Sequence, residues 1–146
     1  MAQITSQPRT GTRPPVSLAQ PDFLAYQLLH IVFSALPIVA GMDKWLHVFA
    51  NWEMYLSNAV VSRLPIPGHS FMEVVGAIEI LAGLLVLFLP RVGGVVVMIW
   101  LWGIVANLML TGQFYDIALR DFALSFGALA LALLAPRFEY RWWRRE

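Results

Sequence analysis

His30, Glu79 and Asn107 each stand inside an apolar run long enough to cross a bilayer, and Lys44, Glu73, Arg120 and Asp121 stand near the ends of such runs. An ionisable side chain at that depth is costly, so it turns to a partner, a polar cavity or a ligand. Glu79 is open to two readings: a ligand or proton site, or a hydrogen bond that fixes helix packing. Histidine is the side chain suited to proton transfer at physiological pH, so His30 could serve a proton or a quinone contact; the plainer reading is a packing residue with a satisfied hydrogen bond. One buried His is not an axial pair, which argues against haem. Arg120 and Asp121 read either as an interfacial ion pair or as the charged wall of a pocket, with Arg120 the expected counter-charge of Glu79. His69 and Glu73, at i and i+4, could put two metal ligands on one helical face. A third ligand such as His47 or Asp43 is not fixed by spacing, so no metal site is expected. The chain has no Cys, which removes disulfides, thiolate metal sites and thiol redox chemistry. No phosphate loop, nucleophile motif or dinucleotide fingerprint occurs. Catalysis by the chain itself is therefore not expected, and neither is an intrinsic cofactor. A quinone or a bound lipid is the small-molecule chemistry these residues suit.

Four apolar runs must position these side chains: residues 23–42, 71–89, 92–110 and 117–134. Each is close to the ~20 residues a helix needs to cross ~30 Å of hydrocarbon, and helices satisfy their own backbone as lipid demands. Pro90-Arg91 makes the second connection very tight, and the third, around Thr111 to Asp116, is short. The first runs from Asp43 to Ser70. Within it Trp45, Phe49, Trp52 and Leu56 recur at helical spacing, which predicts an amphipathic interfacial helix over 45–56. Pro65-Ile66-Pro67-Gly68 then turns the chain into the second span. The expected architecture is all-α, an integral membrane four-helix bundle with that extra interfacial helix between spans one and two. Residues 22–136 make the membrane domain, 1–21 a polar tail without an apolar core of its own, and 137–146 a basic aromatic tail. No cleaved signal peptide is expected.

Basic residues orient the bundle. With the N-terminus inside, Arg9, Arg13, Arg91, Arg137, Arg141, Arg144 and Arg145 lie inside, and Lys44, Arg63 and Arg120 outside, a split of 7 to 3 among the 10. That bias places both termini in the cytoplasm of a bacterial-type inner membrane. Trp142 and Trp143 beside the C-terminal arginines, and Trp45 and Trp52 on the other side, are the expected interface anchors.

Each span carries one small or polar face. Span one has Gln27, His30, Ser34, Pro37, Gly41 and Lys44. Span two has Gly76, Glu79 and Gly83; span three Gly103 and Asn107; span four Asp121, Ser125, Ala128 and Ala132. Small residues allow close helix approach, so Gly41, Gly76, Gly83, Gly103 and Ser125 are the expected packing positions. At ~1.5 Å per residue, His30 and Glu79 each lie ~12 Å from opposite boundaries, which makes them expected neighbours near mid-membrane. Asn107, Glu73, Arg120 and Asp121 fall toward the outer rim. The expectation is an outward-facing polar pocket with Glu79 near its floor.

Composition agrees with this picture: 59% of residues are hydrophobic and 13% charged, about half the charged share of a soluble domain. Net charge is +1, so nucleic acid is not an expected partner; the lipid bilayer is. The segment Ile38-Val39-Ala40-Gly41-Met42-Asp43-Lys44-Trp45, the segment Gly76-Ala77-Ile78-Glu79-Ile80-Leu81-Ala82-Gly83 and the Arg120-Asp121 pair together resemble the DoxX-like family of small four-span membrane proteins, over about residues 22 to 135. The resemblance implies a helical bundle tied to membrane redox systems, since members include a subunit of a thiosulfate:quinone oxidoreductase and proteins of oxidative-stress complexes. It also implies that Lys44, Glu79, Arg120 and Asp121 matter. The leading functional expectation is an accessory subunit of a respiratory or photosynthetic electron-transfer complex, bound to other membrane subunits. The alternatives are a quinone- or sulfur-linked oxidoreductase component with a pocket near Glu79 and Arg120, and a small transporter.

Overall fold

A computed structural model describes residues 20–138, all of whose regular structure is helical. Four long helices are apolar enough to span a membrane: α1, Pro21–Leu46; α3, Gly68–Phe88; α4, Pro90–Thr111; and α5, Tyr115–Phe138. At ~1.5 Å per residue the shortest of them, 21 residues, is about 31 Å long, the thickness of a bilayer core. Between α1 and α3 lie a one-turn 3-10 helix, Trp52–Tyr55, and the four-residue α2, Asn58–Val61. The chain is a multi-pass membrane protein with a four-helix bundle, as its apolar periodicity predicts. Of the tails expected at 1–21 and 137–146, residues 1–19 and 139–146, with Trp142 and Trp143, lie outside the described residues.

The helix ends follow local chemistry. Pro21 and Pro90 each occupy the first turn of their helices, where a missing N–H costs nothing and the fixed φ suits the helix. Only Leu89 separates α3 from α4. Gly112 ends α4 in the left-handed conformation, φ 71°, which glycine adopts without steric penalty.

The interfacial helix expected over 45–56 does not form. The carboxylate of Asp43, buried, accepts hydrogen bonds from the backbone N–H groups of Val48 and Phe49 and from the indole N–H of Trp52. These groups are pulled back toward α1, so the helix stops at Leu46 and His47 turns left-handed at φ 51°. The result is a strap of short turns across one end of the bundle. Trp45 stays exposed on α1, whereas Trp52 is drawn inward to Asp43.

The four spans associate as two close pairs, α1 with α3 and α4 with α5, with thinner contact between the pairs. The first pair crosses at glycines. A Cβ on Gly41 would lie 2.5 Å from the Gly76 carbonyl oxygen, one on Gly76 2.6 Å from the Gly41 carbonyl oxygen, and one on Gly83 2.7 Å from that of Ser34. A side chain at any of the three would push backbone of the facing helix away. Gly103 does not behave this way, because a Cβ there meets nothing within 4 Å. Gly94 takes the role expected of Gly103: a Cβ would sit 2.7 Å from the Ala128 carbonyl oxygen on α5. Ser125 also holds α4 to α5, since its Oγ accepts the Trp102 indole N–H and donates to the Phe122 carbonyl.

At the end away from the strap, Phe138 packs on Phe23 and Tyr26, and Arg137 pairs with Asp22 at 2.6 Å. The start of α1 and the end of α5 are thereby joined on one side.

Candidate functional site

A cavity of about 660 Å³ lies between the two helix pairs and under the strap, lined by residues of all four spans. Its walls are mostly apolar: Phe33, Leu36, Pro37 and Ala40 of α1, Met72, Val75 and Ala82 of α3, Val97, Leu101 and Ile104 of α4, and Ile117 and Leu124 of α5. Trp52, Tyr55 and Leu56 of the strap border it as well. A mostly apolar site of this size with a few placed polar groups is what small-molecule sites look like.

The polar groups converge. Lys44 Nζ donates to Glu79 Oε2 at 2.5 Å, with side-chain exposures of 3% and 9%, so the pair is almost wholly dry. Lys44 sits in the last turn of α1, within reach of the membrane surface. A lysine there can snorkel outward. Instead its ammonium turns inward, because Trp52 covers it at 3.9 Å from the ring centroid and Glu79 draws it from below. The backbone makes this approach possible, since the Gly41–Gly76 crossing brings α1 and α3 together one turn away from each partner. The Trp100 side chain borders the cavity, and its buried indole N–H lies on the Glu79 side. Trp offers only a donor at that atom, so it serves acceptors at this end of the cavity, the Glu79 carboxylate or one brought in beside it.

Asn107 lines the cavity and fixes its cover. Its side-chain N–H donates to the Tyr55 carbonyl at 2.7 Å, and its side-chain oxygen accepts from the Ser57 N–H at 3.1 Å. Ser57 in turn caps α2, accepting from the Val60 N–H. One amide on α4 thus ties down the two turns of the strap that lie over the cavity.

The expected site residues divide into two groups. Lys44, Glu79, Asn107, Arg120, Asp121 and Gly103 all border the cavity. His30 and Glu73 do not. His30 Nε2 faces two carbonyls at the end of α3, Val86 at 3.1 Å and Leu87 at 3.2 Å. Both are acceptors, so Nε2 carries the proton and donates. This satisfies carbonyls that a helix end leaves open, and it places His30 about two turns from Glu79 rather than beside it. Glu73 lies outside, 3.6 Å from His69. Gln27, expected on the polar face of span one, is exposed, so that face begins at His30.

Arg120 is not the counter-charge of Glu79. It pairs with Asp116 one turn earlier at 2.9 Å, with 68% of its side chain exposed. Near the start of α5 its flexible stem reaches the interface more cheaply than the bundle interior. Lys44 takes the role expected of Arg120. Nothing in the sequence pointed to a cavity role for Trp100, a Trp among many apolar neighbours, and Asp43, weighed there only as a metal ligand, instead shapes the strap.

No family model, curated protein or solved structure matches the chain.

Proposed function

We propose that this membrane protein binds an apolar small molecule with a hydrogen-bonding head, of the quinone or lipid class, in the cavity beneath the strap. The observation that carries this reading is a cavity of about 660 Å³ holding the buried Lys44–Glu79 pair, with the buried Trp100 indole N–H beside it. A quinone carbonyl would accept from Trp100 Nε1 and from the Lys44 ammonium, and an isoprenoid tail would lie along Phe33, Leu101 and Leu124.

In this reading the chain is an accessory component of a membrane electron-transfer assembly, the place that the DoxX-like resemblance also suggests. It sits in a bacterial-type inner membrane with both termini cytoplasmic and the strap on the outer face.

The test uses the full chain in lipid nanodiscs with a short-tailed ubiquinone analogue, followed by quenching of tryptophan fluorescence. Saturable binding is expected. Trp100→Phe should weaken it about fivefold, the worth of one hydrogen bond of about 1 kcal/mol. Non-saturable partitioning, equal in wild type and variant, would remove the proposal. Purification in mild detergent tests the assembly separately: stoichiometric partner subunits are expected, and a clean monomer would exclude an accessory role without touching the cavity. Since the chain has no native Cys, single cysteines at Arg13 and Gln113 report sidedness. A membrane-impermeant maleimide should label Gln113→Cys on intact cells and Arg13→Cys only after permeabilisation.

A further inference from the structure

The strap brings together three side chains that the sequence holds far apart. The ligating atoms of His47, Glu53 and His69 all lie within 4.8 Å of one another. Glu53 Oε1 is the hub, 2.7 Å from His69 Nδ1 and 3.9 Å from His47 Nε2. Their imidazoles are stacked, with centroids 5.4 Å apart and planes 18° from parallel. We propose that His47, Glu53 and His69 form a divalent-metal site of the zinc class, with water in the fourth position. The site lies on the outside of the strap and stands independently of the cavity ligand.

Two imidazoles and one carboxylate, with one position open, is a set that Zn²⁺ accepts in tetrahedral geometry. Around a tetrahedral Zn²⁺ with bonds of about 2.0–2.2 Å, ligand atoms are about 3.3 Å apart. Separations of 2.7 and 3.9 Å bracket that value. The two imidazole nitrogens lie within 4.8 Å of each other, so the set has to draw in by about an ångström to meet one ion.

The outer atoms of the two imidazoles provide a second, independent reason. A metal-bound His commonly gives its other ring N–H to a carbonyl or carboxylate, which fixes tautomer and orientation. His47 does this already: its Nδ1 faces the Trp45 carbonyl at 3.3 Å, so Nδ1 donates and Nε2 is left with a lone pair toward Glu53. His69 has Glu73 Oε1 3.6 Å from its Nε2. When Nδ1 binds the ion, the ring proton moves from Nδ1 to Nε2, and Glu73 receives that N–H. Each imidazole thus has an acceptor waiting on its far side.

The local fold places His47 deliberately. The residue stands at φ 51°, a conformation uncommon for a side chain with a Cβ, though His is enriched there. The Asp43 hydrogen bonds to Val48, Phe49 and Trp52 hold the turn that follows. An ion here would join the end of α1, the 3-10 turn and the start of α3, and so clamp the strap to the bundle.

The experiment uses untagged, metal-stripped full-length protein in detergent, titrated with Zn²⁺ calorimetrically, and with Co²⁺ followed by its visible absorption. One ion per chain is expected, with the intense bands of tetrahedral Co²⁺. His47→Ala and His69→Ala should each abolish stoichiometric binding. Glu73→Gln should keep it but weaken it by about 10- to 100-fold. Zn²⁺ should raise the melting temperature of wild type and leave that of His47→Ala unchanged. Absence of saturable one-ion binding by wild type overturns the site. So does one-ion binding that survives in the His47→Ala/His69→Ala double variant. Because the wild-type titration decides alone, a variant that fails to fold does not shelter the proposal.

Discussion

Lys44 Nζ and Glu79 Oε2 meet 2.5 Å apart inside the bundle, one from the last turn of α1 and the other from the middle of α3. The pair is dry, so each charge depends on the other. Taking two ions out of water costs several kcal/mol each, and only their mutual attraction and remaining contacts offset this. The Trp52 ring over the ammonium supplies one such contact. Glu79 is therefore both a packing element and the polar floor of the cavity; the two readings open to it are not exclusive.

Breaking this pair from one side should be costly. Lys44→Met leaves a buried carboxylate without its cation and should destabilise the bundle by about 3–5 kcal/mol. The double variant Lys44→Met/Glu79→Leu removes both charges and should recover most of that loss. Thermal unfolding in detergent measures both. A double variant as unstable as the single one would show that the charges are not energetically coupled. Arg120→Ala is the control, since an exposed pair with Asp116 is worth at most about 1 kcal/mol.

The α1–α3 crossing depends on bare backbone. Gly76→Val would put its Cβ 2.6 Å from the Gly41 carbonyl oxygen and 3.0 Å from the Lys44 Cβ. Neither neighbour can swing away, so the helices must separate, and the Lys44–Glu79 contact separates with them. The variant is expected to lose its cooperative melt and its monodisperse peak in size-exclusion chromatography. Retention of both would refute the close crossing.

The spans were legible in the sequence because membrane burial writes itself as long continuous apolar runs, and because Gly76, Glu79 and Gly83 repeat on one helical face. The strap was not. Trp45, Phe49, Trp52 and Leu56 fit a helical period, yet a single carboxylate, Asp43, captures the N–H groups that a continuing helix would use. The identity of the Glu79 partner was hidden for a related reason. Depth along a helix places Cα atoms, whereas a lysine stem adds several ångströms in a direction fixed by Trp52. Gly94 and Gly103 look alike in sequence; only the third dimension puts Ala128 against one and open space against the other. His47, Glu53 and His69 converge through an irregular segment, where spacing carries no register.

Asn107 should govern how firmly the strap is closed. Asn107→Leu keeps the volume but removes a donor to Tyr55 and an acceptor from Ser57, leaving a backbone N–H and a carbonyl without those partners at about 1–3 kcal/mol each. The spans do not use these bonds, so global stability should fall less than strap stability. Hydrogen exchange is expected to quicken at Leu56 and Ser57 while exchange at the centre of α4 stays slow. Equal acceleration throughout would mean that the strap is not a separately opening unit.

Gly103 separates cavity occupancy from folding. It borders the cavity, and a Cβ there touches nothing within 4 Å, so added side chain enters free space instead of a helix contact. Gly103→Ala removes a helical glycine and should stabilise by about 0.5–1 kcal/mol. Gly103→Leu adds three further carbons, and these project into the space proposed for the ligand. The expected outcome is a leucine variant that melts no lower than wild type, yet binds the ubiquinone analogue at least tenfold more weakly in nanodiscs. Lys44 and Glu79 are untouched by this change, so lost binding cannot be ascribed to a broken ion pair. Undiminished saturable binding by a well-folded Gly103→Leu protein would place the ligand outside the bundle, against its lipid-facing surface.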